Sequence, residues 1–228
     1  NRTFKRILKI RAVRLRSSHL EKDSHLALVD CQPGGSSPLP EDARPLVVID
    51  HHPFKKTSRA GFIDIQSERG ATSTIMVEYL RAADLEVPPP LATGLYYALM
   101  SETQHLGRDV TGRDIDAAIF LFGRVKHRLI SRIEHPVHNR QFFQQLYTAL
   151  GKTFTYKRFV GARLGPIEYP NFVGQLADLL VSLKRATWCC VCGRYKNTLY
   201  LSLRTTHSRG NAGAILRLPR LDRQGVLP

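Results

Sequence analysis

The sequence predicts an α/β protein in which a parallel-sheet domain is joined by a helical connector to a smaller α+β domain. Three observations predict it. Two short apolar runs, His25-Leu-Ala-Leu-Val-Asp30 and Pro45-Leu-Val-Val-Ile-Asp50, flank the turn-rich Gln32-Pro-Gly-Gly-Ser-Ser-Pro, the pattern of fully buried parallel strands. Segments of helical periodicity follow them, and strand alternating with helix is the signature of a layered α/β domain. Beyond residue 153 the pattern changes to alternating strands around one helix. The boundaries are 1–132 for the first domain, 133–152 for the connector and 153–228 for the second domain.

Element by element, residues near the start read as a basic amphipathic helix with apolar Phe4, Ile7, Leu8 and Ile10. After the two strands, Ala71 to Ala83 reads as a helix capped by Thr72 or Ser73, and Pro88-Pro-Pro ends that segment, since proline removes a backbone donor. A second helix over Leu91 to about Ser101 turns Leu91, Leu95, Ala98 and Leu99 inward. A third, Asp114 to Phe122, is expected to pack on the sheet. The connector carries a helix from Asn139 to Leu150. In the second domain Phe154 to Leu164 and Trp188 to Gly193 read as strands, Asn171 to Leu183 as a helix, and Thr198 to Arg204 alternates with the period of two that strands require.

The chain of 228 residues is 43% hydrophobic, enough for a globular core. No run approaches the roughly 18 apolar residues of a membrane span. Charges stand at the N-terminus where a signal peptide has its apolar stretch, so the expected setting is the cytoplasm. Of the four cysteines, Cys189, Cys190 and Cys192 crowd into one alternating stretch and Cys31 is remote. No second Cys/His pair has zinc-finger spacing, and free thiols are expected. The net charge of +15 is concentrated at the ends: residues 1–22 hold eight Lys/Arg against one acid, and residues 184–228 nine against one. Basic flanks of this kind serve either as phosphate grips or as solvated faces.

An open parallel sheet places its ligands beyond the C-terminal ends of its strands. Asp30 and the triplet Asp50-His51-His52 stand there. A lone strand-end aspartate also serves as a cap or turn former, but two imidazoles directly after a buried strand have no packing role. Carboxylate oxygens with imidazole support suit manganese, magnesium or a similar divalent ion, and two such ions can clamp a phosphoryl group. The reaction class this points to is phosphoester hydrolysis.

Val48-Ile-Asp-His-His-Pro53 resembles the signature triplet of the DHH phosphoesterases, and Ala27-Leu-Val-Asp30 resembles the aspartate motif preceding it. The resemblance continues through Gly70-Ala-Thr-Ser-Thr74 and through Thr93 to Thr103, similar to the family's fourth acidic motif. Leu201 to Thr206 with Asn211-Ala-Gly213 is similar to the DHH-associated C-terminal substrate domain. The resemblance implies two Mn2+ ions, with Mg2+ or another divalent ion as an alternative. It implies Asp30, His51 and Glu102 as metal ligands, with Asp30 bridging. Asp50 would orient its neighbours, and His52 would contact the scissile phosphate and help protonate the leaving group. Arg204 and Asn211 would contact substrate. The implied partners are a small phosphorylated nucleotide or a short single-stranded oligonucleotide, no membrane, and a second copy of the chain in a homodimer. His105, His127, His135 and His138 read as surface or satisfied histidines.

Two departures qualify the match. The family opens with a strand whose loop carries Asp-x-Asp, and nothing in residues 1–24 matches it; His19 and Asp23 have the wrong spacing. The family closes with a Gly-Gly-Gly-His loop, absent before Pro228. Both ends therefore read as cut. The leading function is metal-dependent hydrolysis of short oligonucleotides or small nucleotide phosphates; the alternative is a catalytically silent nucleotide- or nucleic-acid-binding protein. Because the missing motif supplies about half the ligands, a protein of these 228 residues should show little hydrolase activity. A manganese-dependent turnover equal to that of a relative carrying both motifs would contradict this.

Overall fold

The computed structural model describes residues 2–13, 15, 25–34, 39, 43–55, 59–207 and 210–216. His19, Asp23 and residues 217–228 lie outside them. The chain is α/β and divides into two units, Asn1–Pro136 and Val137–Pro228.

The first unit is built on a three-stranded parallel sheet of β1 (Ala27–Val29), β2 (Val47–Asp50) and β3 (Phe62–Ile65), with β2 central. Sequence periodicity locates β1 and β2 but not β3, whose short Phe62-Ile-Asp-Ile stretch is too brief to stand out. Full burial was the expectation for the strands; instead only Leu28 is buried in β1, and Val29 is half exposed. Two of three strands are edges, so one sheet cannot enclose them all. Five helices accompany the sheet: α1 (Arg2–Ile7), α2 (Thr72–Ala82), α3 (Pro89–Glu102), α4 (Gly112–Phe122) and α5 (His127–Glu134). The first helix stops at Ile7 because Lys9 adopts a left-handed φ of 55°, and Phe4 stacks on Tyr97 of α3.

The expected cap of α2 is not a cap. Its N-cap is Ala71, and no side chain bonds the helix end. The Thr72 hydroxyl instead donates to Asp30 Oδ1 at 2.8 Å. Pro89 starts α3, where its missing N–H costs nothing. Leu91, expected inside, is exposed, and Ala92, Leu99 and Met100 take the inner face. Rather than lying on the sheet, α4 packs on α2 and α3, in a helical core with Val77, Leu99 and Leu121 at its centre. A smaller core around Leu28 and Val48 lies under the sheet.

Loop and helices are locked together by Asp114, which has no exposed surface. Its carboxylate accepts from Thr74 Oγ1 at 2.6 Å, from Gly70 N at 3.1 Å, and from Thr111 N and Oγ1 at 2.8 and 2.6 Å. With Thr111 it forms the capping box of α4, two orphan donors being satisfied reciprocally. Gly70 must be glycine: a Cβ there would stand 2.7 Å from the Asp109 carbonyl oxygen.

In the second unit α6 (Arg140–Gly151) is capped by the Asn139 side chain, which accepts from Phe142 N at 2.9 Å. A four-stranded sheet follows in the order β4 (Thr153–Tyr156), β5 (Phe159–Pro166), β6 (Trp188–Tyr195) and β7 (Thr198–Thr205), with α7 (Asn171–Leu180) between β5 and β6. Only β5 and β6 are parallel, as the crossover through α7 requires. The single strand expected over 154–164 is a hairpin, turned by Lys157 at φ 54°. A short α8 (Ala212–Leu216) follows β7. The four thiols are free, and Cys189 and Val191 alternate into the core while Cys190 and Cys192 face away.

Replacing Asp114 by Ala would leave four buried or half-buried donor groups without their acceptor and should cost on the order of 3 kcal/mol in urea unfolding. Burial alone would raise the Asp114 pKa. Hydrogen bonds from Thr111, Thr74 and Gly70 outweigh it and hold the carboxyl below its ordinary range. The stabilisation is thus full above the ordinary aspartate value and is lost as pH falls through the depressed folded value. Asp114→Asn should therefore flatten the acid limb of the stability profile; an unchanged acid limb would refute the assignment.

Candidate metal centre

The ends of β1 and β2 bring Asp30, His51 and His52 together: one ligand atom from each lies within 4.8 Å of the others. Asp30 follows β1 at a left-handed φ of 65°, which aspartate tolerates better than most side chains. Its backbone N–H donates to the Ile49 carbonyl at 3.0 Å, so the turn is stitched to β2. With Thr72 holding one face of Oδ1, the side chain remains half exposed.

Asp50 ends β2 and is almost fully buried. Both oxygens are occupied. Oδ2 accepts from Gln32 Nε2 at 2.8 Å, and Oδ1 from His51 N at 2.9 Å and from His52 Nδ1 at 2.8 Å. Burial would raise its pKa, but the bonds from His52 and Gln32 prevail and keep Asp50 a carboxylate below its usual range. Gln32 also donates to the Pro53 carbonyl and accepts from Lys55 N, and so braces both sides of the triplet. Asp50 thus orients the histidines and has no lone pair directed to solvent.

The two imidazoles are fixed differently. A carbonyl only accepts, so the 3.2 Å contact of His51 Nδ1 with the Arg69 carbonyl makes Nδ1 the protonated nitrogen. In the neutral ring that leaves Nε2 as a lone pair, buried and without a hydrogen-bond partner, 3.5 Å from Asp30 Oδ1. Two acceptors facing each other at that distance repel unless a cation lies between them. A histidine donating its far N–H to a backbone carbonyl is also how metal-bound imidazoles are held. The donor set therefore fits a divalent cation. His52 donates Nδ1–H to the Asp50 carboxylate, which leaves its exposed ring with Nε2 outward.

Glu102, at the end of α3, is exposed and stands outside the three-residue group. It lines a cleft of about 180 Å³ with His51, His52, Arg69, Arg108 and Asp109. Arg69 is engaged by Glu68 and Glu78, while Arg108 reaches Asp109 and the Glu102 carbonyl. Gln32 and Arg69 carry no signal in the sequence, because the Gln32 side chain and the Arg69 carbonyl work through partners 18 positions away; Arg108, held by its near neighbours Asp109 and Glu102, is not singled out by the sequence either. In the second unit, Arg204 Nε donates to Asp178 Oδ1 at 2.6 Å. Asn211 stands just before α8, its carbonyl accepting from Ile215 N.

No protein-family model matches the sequence. An uncharacterized protein of Methanocaldococcus jannaschii is 26% identical over 217 residues, covering 95% of this chain and 45% of the relative. The crystal structure of an exopolyphosphatase-related protein from Bacteroides fragilis matches with a TM-score of 0.60 at 17% identity, over 75% of this chain and 52% of that one. The chain is thus similar in fold to an exopolyphosphatase-related protein and spans about half the length of the proteins it matches. Among the described residues no helix is long and apolar enough to cross a membrane.

Nitrogen-15 NMR in EDTA, at a pH where the His51 ring is neutral, should find its proton on Nδ1. The reverse tautomer would remove the argument for a cation at Nε2.

Proposed function

We propose that this chain is a metal-dependent phosphoesterase of the DHH type, similar to the two-domain oligoribonuclease and 3′-phosphoadenosine 5′-phosphate phosphatase members, using Mn2+ or Mg2+. What carries the reading is the buried, unpartnered Nε2 of His51 facing the Asp30 carboxylate. Asp30 and His51 would hold the ion, with His52 or Glu102 completing its shell. A divalent ion there supplies charge neutralisation on phosphoryl oxygens and lowers the pKa of a water.

The remaining steps belong to the chain's own residues. Asp50 accepts the Nδ1–H of His52 and fixes the ring with Nε2 outward, the nitrogen from which the imidazolium would donate a proton to a leaving oxygen. Arg108 would neutralise a non-bridging oxygen from the cleft wall, and Arg204 and Asn211 of the second unit are proposed as substrate-binding residues. For Arg204 this means sharing its guanidinium with Asp178. The fold neighbour's relationship to exopolyphosphatases agrees with phosphoryl chemistry, and the short oligonucleotide or nucleotide phosphate remains the proposed substrate.

A catalytically silent nucleotide- or nucleic-acid-binding protein is the second reading. It is favoured by Glu102 standing outside the ligand group, since among the described residues the group suffices for one ion rather than two. Mn2+-dependent turnover separates the two, since one ion can bind under either, and calorimetry with Mn2+ tests the site itself. Under the enzyme reading, Asp30→Ala and His51→Ala each abolish binding while circular dichroism is unchanged, and Gln32→Leu weakens it by disturbing Asp50. Undiminished Mn2+ binding in the first two variants would refute the assignment.

A further inference from the structure

Within the second unit and among the described residues, the sheet is covered on one side only. Its inner face carries Val160, Ala162, Cys189 and Val191, packed with α7 into the core. The strand registers place a different set on the other face. Tyr156 pairs with Phe159, and Phe159 with Trp188; in the next row Phe154 pairs with Gly161, and Gly161 with Cys190. Directly paired residues share a face, so Phe154, Tyr156, Phe159 and Trp188 form one aromatic field across three strands. Gly161 confirms where the field lies: a Cβ there would stand 2.6 Å from the Phe154 ring, which therefore covers it. Tyr156 is 66% and Phe154 54% exposed. Exposed apolar area on this scale marks an interaction surface.

Charge identifies the partner. Arg163 pairs with Cys192 and Arg194 with Leu199 on the same face, and both arginines are exposed. Among the described residues neither has a carboxylate partner, and Lys157 lies 5.5 Å over the Tyr156 ring. The second unit as a whole holds 14 Lys/Arg against three acids. A second copy of the chain packed here about a twofold axis would set arginine against arginine with no carboxylate between them. A polyanion carrying flat apolar groups meets both features at once.

We propose that this uncovered face is a stacking platform for single-stranded nucleic acid, with bases on Phe154, Tyr156 and Trp188 and phosphates on Arg163 and Arg194. Exposed aromatic side chains on a sheet stack unpaired bases without strong sequence preference, and basic groups track the backbone. A duplex keeps its bases stacked on one another and cannot use the rings. The surface does not involve Asp30, His51 or His52, so it stands or falls separately from the metal centre.

Trp188 is the only tryptophan in the chain, which makes the platform directly readable. The protein is titrated in EDTA, which silences the metal centre, with a fluorescein-labelled single-stranded RNA of about 12 nucleotides, the length scale such grooves accept. The corresponding duplex is titrated in parallel. Anisotropy should show binding of the single strand in preference to the duplex, and the unlabelled strand should quench Trp188. Tyr156→Ala should weaken binding roughly tenfold, within the span measured for loss of one stacking ring. Arg163→Glu with Arg194→Glu changes two exposed positions; it should weaken binding and lower the salt dependence by about two phosphate contacts. Absence of binding overturns the proposal. So does binding that leaves Trp188 unquenched and is unaffected by these variants, which would locate the contact elsewhere. A sedimenting dimer that shields Trp188 and ignores RNA would assign the face to a second copy instead.

Discussion

A carboxylate taken out of water must be surrounded by donors, and the first unit is organised around two that are. Asp114 collects the Gly70 amide, the Thr74 hydroxyl and two donors from Thr111, so that one side chain fixes the loop before α2 and the start of α4. Asp50 collects Gln32 and both histidines that follow it. The two carboxylates are linked through a short stretch of chain. Asp114 holds Gly70, the neighbouring Arg69 carbonyl holds the His51 ring, and Asp50 holds the backbone of the same histidine. An uncompensated buried charge is among the costliest defects a fold can carry, and satisfying these two fixes the local geometry.

The consequence appears at His51. Its ring is held at Nδ1 by the Arg69 carbonyl and its backbone by Asp50, and Nε2 is left buried against Asp30. Thr72 contributes by orienting that carboxylate, where a helix of this sequence would ordinarily use the hydroxyl as its cap. A capping bond of this kind is worth about 1 kcal/mol. Its diversion to Asp30 is a local cost borne for the arrangement of the site, in keeping with the concentration of unfavourable local choices at functional positions. Asp30 itself, in a left-handed conformation, is a second instance.

The second unit follows another logic. Its core is built from α6, α7 and a single face of the sheet. The opposite face carries four aromatic side chains, of which Phe154 and Tyr156 are exposed, and two exposed arginines, with no helix of the second unit packed over them among the described residues, and Gly161 is small because the Phe154 ring lies across it. Arg204, on the covered side, is neutralised by Asp178 of α7. Neighbouring arginines on one sheet thus differ in availability according to the face their register assigns them.

Sequence alone determined the α/β class, the strands β1 and β2, the body of α2, α3, α4, α6 and α7, and the grouping of Asp30 with Asp50-His51-His52. These are carried by periodicity and by neighbours in the chain. It missed β3 and α5, which are short, and it took the β4–β5 hairpin for one strand because its turn at Lys157 contains neither glycine nor proline. It placed α4 on the sheet and Leu91 inside, since amphipathic spacing says that a helix has an inner face but not what lies against it. Only the tertiary structure decided which histidine nitrogen is free, that Gln32 and the Arg69 carbonyl are the groups that fix it, that Thr72 serves Asp30, and that the aromatic face of the second sheet is open. Each of those depends on contacts between residues from 18 to 42 positions apart or on the absence of a covering layer. A local pattern records the period of a segment; it contains no information about which distant donor the folded chain will bring to a buried acceptor.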